Sequence, residues 1–308
     1  MVVSDPLPSW HDRGAKQAIV EFVTRVTRDR HADFVPPQER IAVFDHDGTM
    51  WVEQPMYTQL AFAIDRVKAL APAYPEWHAQ QPFKAALEDN LAALAATGER
   101  GAAELVAATH ANDTTDEFTE IVIGWLMNAR HPTLRRLYTE LVYQPMVDML
   151  AYLRANGFTT FIVSGGGVEL IRPWTQRVYG VPPEQVIGSR VKLHYEYRGN
   201  RPVLYRLPEI EPVDDRAAKP AAIYEAIGRR PILAFGNSDA DFEMLDWTTA
   251  GDGPRLGVLV HHTDAAREFA YDRDTHFGRL SRAVDAAPDR NWVVVDMARD
   301  WREMFAAT

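Results

Sequence analysis

The sequence predicts an α/β fold: a parallel sheet with helices on its faces, interrupted by an all-helical insert. Three observations lead there. Short apolar runs that suit covered strands alternate with amphipathic helical segments over most of the chain. Three of these runs, after Phe44, Val163 and Gly236, stop abruptly in polar residues at the same relative position. From about Pro55 to Arg130, by contrast, no convincing strand interrupts the helical pattern.

Taken in order, residues 14–29 place Ala18, Ile19, Phe22, Val23 and Val26 on one helical face, and Pro36-Pro37 breaks the chain. Ile41-Ala42-Val43-Phe44 is apolar on both alternating faces, as in a strand covered on two sides. It ends in Asp45-His46-Asp47-Gly48-Thr49. Asp-Gly between apolar residues also fits a β-hairpin, so this stretch alone leaves two readings open.

Helical sequence follows in MYTQLAFAIDRVKALA, FKAALEDNLAALAATG and DEFTEIVIGWLMNAR, the last opened by Asp116 and Glu117. After Pro145 a helix ends at Asn156-Gly157. A second strand, Phe158 to Val163, runs into Ser164 and three glycines, and a helix follows despite Pro173. Residues 186–198 alternate like a half-exposed antiparallel pair, and 207–216, proline-rich and acidic, read as a loop. A helix opens at Lys219-Pro220. PILAFGNS is a third strand with a helix capped by Ser238 and Asp239, RLGVLVHH a fourth, and NWVVVDM a fifth before a closing helix ARDWREMF.

Composition narrows the function. At 308 residues the chain can build a large core, and 46% apolar with 25% charged residues is ordinary for a globular protein. Without cysteine there is no disulfide, thiolate nucleophile or Cys-bound zinc. A formal charge of −10 argues against a nucleic-acid partner, whose phosphates need a basic face. No stretch reaches the ~18 apolar residues of a membrane span and no leader pattern opens the chain, so the expectation is a cytoplasmic protein with no membrane partner.

In a parallel sheet all strand ends share one edge, where ligands bind, so the three polar termini converge on one cleft. Ser164-Gly165-Gly166 offers a hydroxyl and bare N–H groups at a helix start, suited to phosphate, although a flexible turn reads the same way. Lys219, one of only five lysines, sits at a helix start that disfavours a cation. Bridging a carboxylate and a phosphate oxygen would account for it, and so would a solvated surface position. Asn237, Asp239 and Asp241 exceed what capping alone requires.

These four pieces, in this order, resemble the motifs of the haloacid dehalogenase superfamily of phosphohydrolases, most closely its phosphoserine-phosphatase-like branch. Asp45-His46-Asp47-Gly48-Thr49 resembles the first motif, Ser164 in VSGGG the second, Lys219 the third and GNSDADFEML the fourth; the likeness spans residues 40–260. It implies a Rossmann-like core over 1–52 and 146–308 with a helical cap inserted over 53–145. By the same likeness Asp45 is the nucleophile that becomes an aspartyl-phosphate, and Asp47 the general acid and then base. Ser164, Gly165 and Lys219 bind the phosphoryl group. Mg²⁺ sits on the Asp45 carboxylate, the Asp47 backbone carbonyl and a side chain of the fourth motif.

The family usually has aspartate where this chain has Asn237; the amide oxygen can serve, or else Asp241 or Asp239 carries the metal. Asp47 separates the chain from the dehalogenases themselves, which lack that carboxylate. Glu53 resembles the acid that phosphoserine phosphatases set against their substrate's amino group, and Arg172 is a second candidate substrate contact. His46 has no assigned role, and the tryptophans and His261-His262 read as packing and loop. The expected activity is Mg²⁺-dependent hydrolysis of a small-molecule phosphate monoester, with phosphotransfer or ligand binding without turnover as alternatives.

Overall fold

The computed structural model describes residues 5–211 and 213–307. Its centre is a six-stranded parallel sheet of β1 (Ile41–Phe44), β2 (Thr159–Gly167), β3 (Val186–Ser189), β6 (Leu233–Gly236), β7 (Leu256–His261) and β8 (Val293–Asp296), ordered β3-β2-β1-β6-β7-β8. Strands β4 (Val191–Arg198) and β5 (Arg201–Ile210) form a separate antiparallel hairpin. The helices are α1 (Gly14–Thr27), α2 (Thr58–Leu70), α3 (Phe83–Leu87), α4 (Leu91–Ala96), α5 (Gly98–Thr109), α6 (Thr115–Leu126), α7 (Gln144–Ala155), α8 (Val168–Tyr179), α9 (Ala218–Ile227), α10 (Phe242–Thr249), α11 (Arg282–Ala286) and α12 (Met297–Asp300).

Strand β1 shows why the sheet is covered on both sides. Ala42 and Phe44 face the cluster that holds Phe22, Met149 and Trp174, while Ile41 and Val43 face the cluster of Ile223, Leu245 and Ala283. The two-residue period of a strand thus splits one apolar run between two helical layers. Phe44 stacks on Phe235 of the neighbouring strand, ring centroids 4.5 Å apart.

Helices α2–α6 follow one another with no strand between them; α2–α5 share a third apolar cluster around Val67, Trp77, Phe83 and Leu105, while α6 packs Phe118, Val122 and Leu126 into the cluster under β1. The stretch expected as one helix over FKAALEDNLAALAATG breaks at Asp89, which is in the left-handed region at φ 53°, and Asn90 caps the next helix by accepting from Ala93 N–H.

Three expectations need correction. Residues 186–198 are not one antiparallel pair: β3 joins the parallel sheet and β4 pairs with β5. The acidic proline-rich segment is strand as far as Ile210. The closing helix is a single turn. Among the described residues no helix is long and apolar enough to cross a membrane.

Candidate active site

Strands β2, β1 and β6 are neighbours, so Ser164, Asp45 and Asn237 leave the sheet side by side at its carboxyl edge. Lys219, at the start of α9, reaches the same point. Its ammonium donates to Asp45 Oδ1 at 2.5 Å and to Asp241 Oδ1 at 2.7 Å. All three side chains are buried. Burial opposes the lysine's charge, but Asp241 and Asp45 hold it well above its ordinary range. Burial and the Asp241 carboxylate push Asp45 up in turn, opposed by Lys219.

Asp241 is a fixed member of this group. Its Oδ2 accepts from Asn237 N–H at 3.0 Å, Ser238 N–H at 3.1 Å and the Ser238 hydroxyl at 3.2 Å. With Oδ1 on Lys219, both oxygens are engaged within the protein. Asp239 turns elsewhere, accepting from Ser281 and Ala283 N–H at the start of α11.

Asp47 faces the glycine run of β2: a Cβ placed on Gly166 would lie 3.9 Å from Asp47 Oδ2 and 3.2 Å from Ser164 Oγ. The indole N–H of Trp51 donates to Asp47 Oδ1 at 2.9 Å. Burial raises the Asp47 carboxyl to about 6 against the pull of that hydrogen bond and of Lys219. Ser164 Oγ accepts from Gly166 N–H at 3.0 Å, and Gly167 N–H donates to Gln59 Oε1 of α2 at 2.9 Å, which brings the helical segment onto the glycines.

The donors near Asp45 suit a hard cation. Thr49 Oγ1 donates to Asn237 Oδ1 at 3.0 Å and lies 3.4 Å from Asp45 Oδ2, so a carboxylate and an amide oxygen meet at one hydroxyl. Among the described residues no group of three or more His, Cys, Asp or Glu side chains forms a metal site.

The model of the haloacid dehalogenase-like hydrolases matches residues 42–246, a span that contains every residue of this constellation. The chain belongs to that family. Structural likeness to solved proteins is distant in sequence. A conserved protein of unknown function from Anaerococcus prevotii superposes with a TM-score of 0.56 at 16% identity, covering 80% of this chain and 85% of its own. A protein of unknown function from Bordetella pertussis gives 0.53 at 16% identity, covering 84% and 99%. No curated protein compared with the chain matches it.

In this haloacid dehalogenase-like site, Asp45, Asp47, Ser164, Gly165, Lys219, Asn237 and Asp241 all lie at the sheet edge. Arg172 does not join them; its guanidinium donates to the Val186 carbonyl at 2.9 Å. Glu53 is at the site but buried, its Oε1 accepting from Asn237 Nδ2 at 2.6 Å and the Tyr271 hydroxyl at 2.8 Å. His46 packs among Trp51, Trp174 and Tyr179, and burial with Lys219 pushes it down to about 3, a neutral ring.

Several partners escaped the sequence. His262, expected as packing or loop, lies with Nε2 2.7 Å from the Gly48 carbonyl and Nδ1 3.2 Å from the buried Glu268 carboxylate. It steadies the first-motif turn from the end of β7. Trp51 and Gln59 gave no local signal of their contacts, because an indole or an amide near a turn is compatible with many surroundings.

Proposed function

We propose that the chain is a Mg²⁺-dependent phosphatase of small phosphate monoesters that works through an aspartyl-phosphate on Asp45. The observation that carries this reading is Lys219 bridging Asp45 and Asp241, beside Ser164 and the glycine N–H groups. An ammonium between two acids leaves excess negative charge, which a phosphate tolerates only when a divalent ion also enters. That ion, held by Asp45, the Asp47 backbone carbonyl and Asn237, would offset the charge of the phosphoryl group.

Asp45 carboxylate oxygen bonds to phosphorus as the bond to the leaving alcohol oxygen breaks, and Asp47 gives that oxygen its proton. Asp47, now ionised, takes a proton from water; the water oxygen bonds to phosphorus, and the bond to Asp45 breaks to release phosphate. Lys219, Ser164 and Gly165 N–H bind the phosphoryl oxygens through both steps. Residues 53–145 act as a cap over a core of 1–52 and 146–308. Gln59 on Gly167 N–H supports that arrangement, and such a lid favours small molecules over polymers.

Hydrolysis of an aryl phosphate, with and without Mg²⁺, tests the reading. Activity should require the cation and fall at least 1,000-fold, an order-of-magnitude expectation for a lost nucleophile, in Asp45→Asn. Activity that survives this substitution removes Asp45 as nucleophile.

A further inference from the structure

Asn237 and Glu53 form a pair that accounts for the missing acid of the fourth motif. An asparagine side chain is ambiguous as a metal donor, since a half-turn exchanges its oxygen for an NH₂ group that repels cations. Here both ends are committed. Nδ2 donates to Glu53 Oε1 at 2.6 Å, and Oδ1 accepts from Thr49 Oγ1, which adjoins Asp45 Oδ2. Only a strong acceptor on the far side can hold the amide this way round.

The chain is shaped to bring Glu53 there. Its Oε1 threads between two glycines in the left-handed region, Gly48 at φ 76° and Gly278 at φ 64°. A Cβ on Gly48 would stand 2.3 Å from that oxygen and 2.2 Å from Asn237 Nδ2, and one on Gly278 only 1.9 Å from the oxygen. The Tyr271 hydroxyl completes its coordination. Gly48, Asn237, Tyr271 and Gly278 thus converge on one carboxyl oxygen.

We propose that Glu53 is a positioning residue that orients the Asn237 amide oxygen toward Asp45, and that its carboxylate is the reason position 237 is neutral. The inference rests on the metal site of the proposed function. An aspartate at 237 would replace the amide donor by a second carboxyl oxygen against Glu53 at the present 2.6 Å separation, two buried acids that cannot both ionise in place. Asn237→Asp alone therefore gains no metal affinity, although it adds a charge.

The test is a double-mutant cycle of Glu53→Gln, Asn237→Asp and both together, at pH 8. Two readouts are taken: melting temperature of the metal-free proteins and Mg²⁺ affinity by calorimetry. Asn237→Asp is expected to lower the melting temperature and leave Mg²⁺ binding no tighter than in the unsubstituted protein. Glu53→Gln with Asn237→Asp, where the new amide donates to the new carboxylate, should recover the melting temperature and bind Mg²⁺ at least about tenfold more tightly than Asn237→Asp. An Asn237→Asp protein that melts normally overturns the proposal. So does a double variant that fails to fold, or that shows the simple sum of the single effects. If none of the proteins binds Mg²⁺ yet the melting temperatures show the coupling, the pairing stands and the metal site of the proposed function falls.

Discussion

Asp47 sets the pH dependence of the proposed reaction. Its carboxyl is raised by burial to about 6, so it is largely ionised at pH 7. Donating a proton to the leaving alcohol needs the protonated form, and activating water needs the ionised one. Formation of the phosphoenzyme should therefore slow as pH rises above about 6, and its hydrolysis should slow as pH falls below it; rapid-mixing measurements from pH 5 to 8 separate the two limbs. Two limbs moving in the same direction would remove Asp47 from one of its roles. A second acid is exposed by burial alone. Neither carboxylate oxygen of buried Asp214 has a partner among the described residues, and burial pushes its carboxyl up to about 6 despite Lys219. The folded state then holds that proton more tightly than the unfolded chain, so the ionised residue costs stability above pH 6 and the cost fades as pH falls. Asp214→Asn should stabilise the protein at pH 7.5 by on the order of 2 kcal/mol, with no gain near pH 4, as read by melting curves. A gain equal at both values would assign it to packing instead. The sequence exposed the motif residues because each breaks a local rule, such as two acids ending an apolar strand or a lysine opening a helix. His262 and Asp214 break none, and only tertiary contact reveals them.

The hairpin β4–β5 is the element least visible beforehand, and its prolines explain why. Pro202 and Pro208 argue against strand, yet each strand of a two-stranded ribbon keeps one side free of ladder hydrogen bonds, where a missing N–H costs nothing. The hairpin ties the helical segment to the core. Arg206 N–H donates to the Asp113 carbonyl at 3.0 Å, and its carbonyl accepts from Asn112 N–H at 2.9 Å. Its Nε donates to the His110 carbonyl at 2.7 Å, the guanidinium sits 3.7 Å from the Phe118 ring centroid, and Glu169 of α8 lies 3.8 Å away. Arg206→Met keeps the apolar stem and removes the buried hydrogen bond and ring contact, a loss of roughly 2 kcal/mol. Because the loss falls on the junction, amide exchange should quicken in residues 110–118 and stay slow in β1. A uniform rise across the sheet would mean that the hairpin supports the whole fold and not the helical segment. The break at Asp89 was hidden for a different reason: apolar spacing runs on through it, and only the cap at Asn90 marks the new start.

At the scale of the whole molecule, the sequence placed three strand ends on one edge but not the order β3-β2-β1-β6-β7-β8. Right-handed crossovers limit the possible orders, and no local pattern selects among them. That order makes Asp45 central and brings it with Asp241 onto one ammonium, with Asp47 and the buried Glu53 close by, in a chain already at −10. Such a site is under electrostatic strain until a cation enters, so the proposed function predicts that Mg²⁺ stabilises the fold. A ligand bound only by the native state adds RT ln(1 + [L]/Kd), about 2.7 kcal/mol at one hundred times Kd. Ionic strength must be held constant with NaCl, because salt also screens the repulsion of a highly charged chain. Under that condition the melting temperature should climb with Mg²⁺, level off only logarithmically, and return to its starting value with a chelator. Asp45→Ala should abolish the response, since the ion loses its one carboxylate, whereas Asp239→Ala, which alters a cap on α11, should lower the baseline and keep the rise. A wild-type melting temperature indifferent to Mg²⁺ would mean that Lys219 alone balances these acids, and the phosphatase mechanism would lose the charge that lets a phosphate approach Asp45.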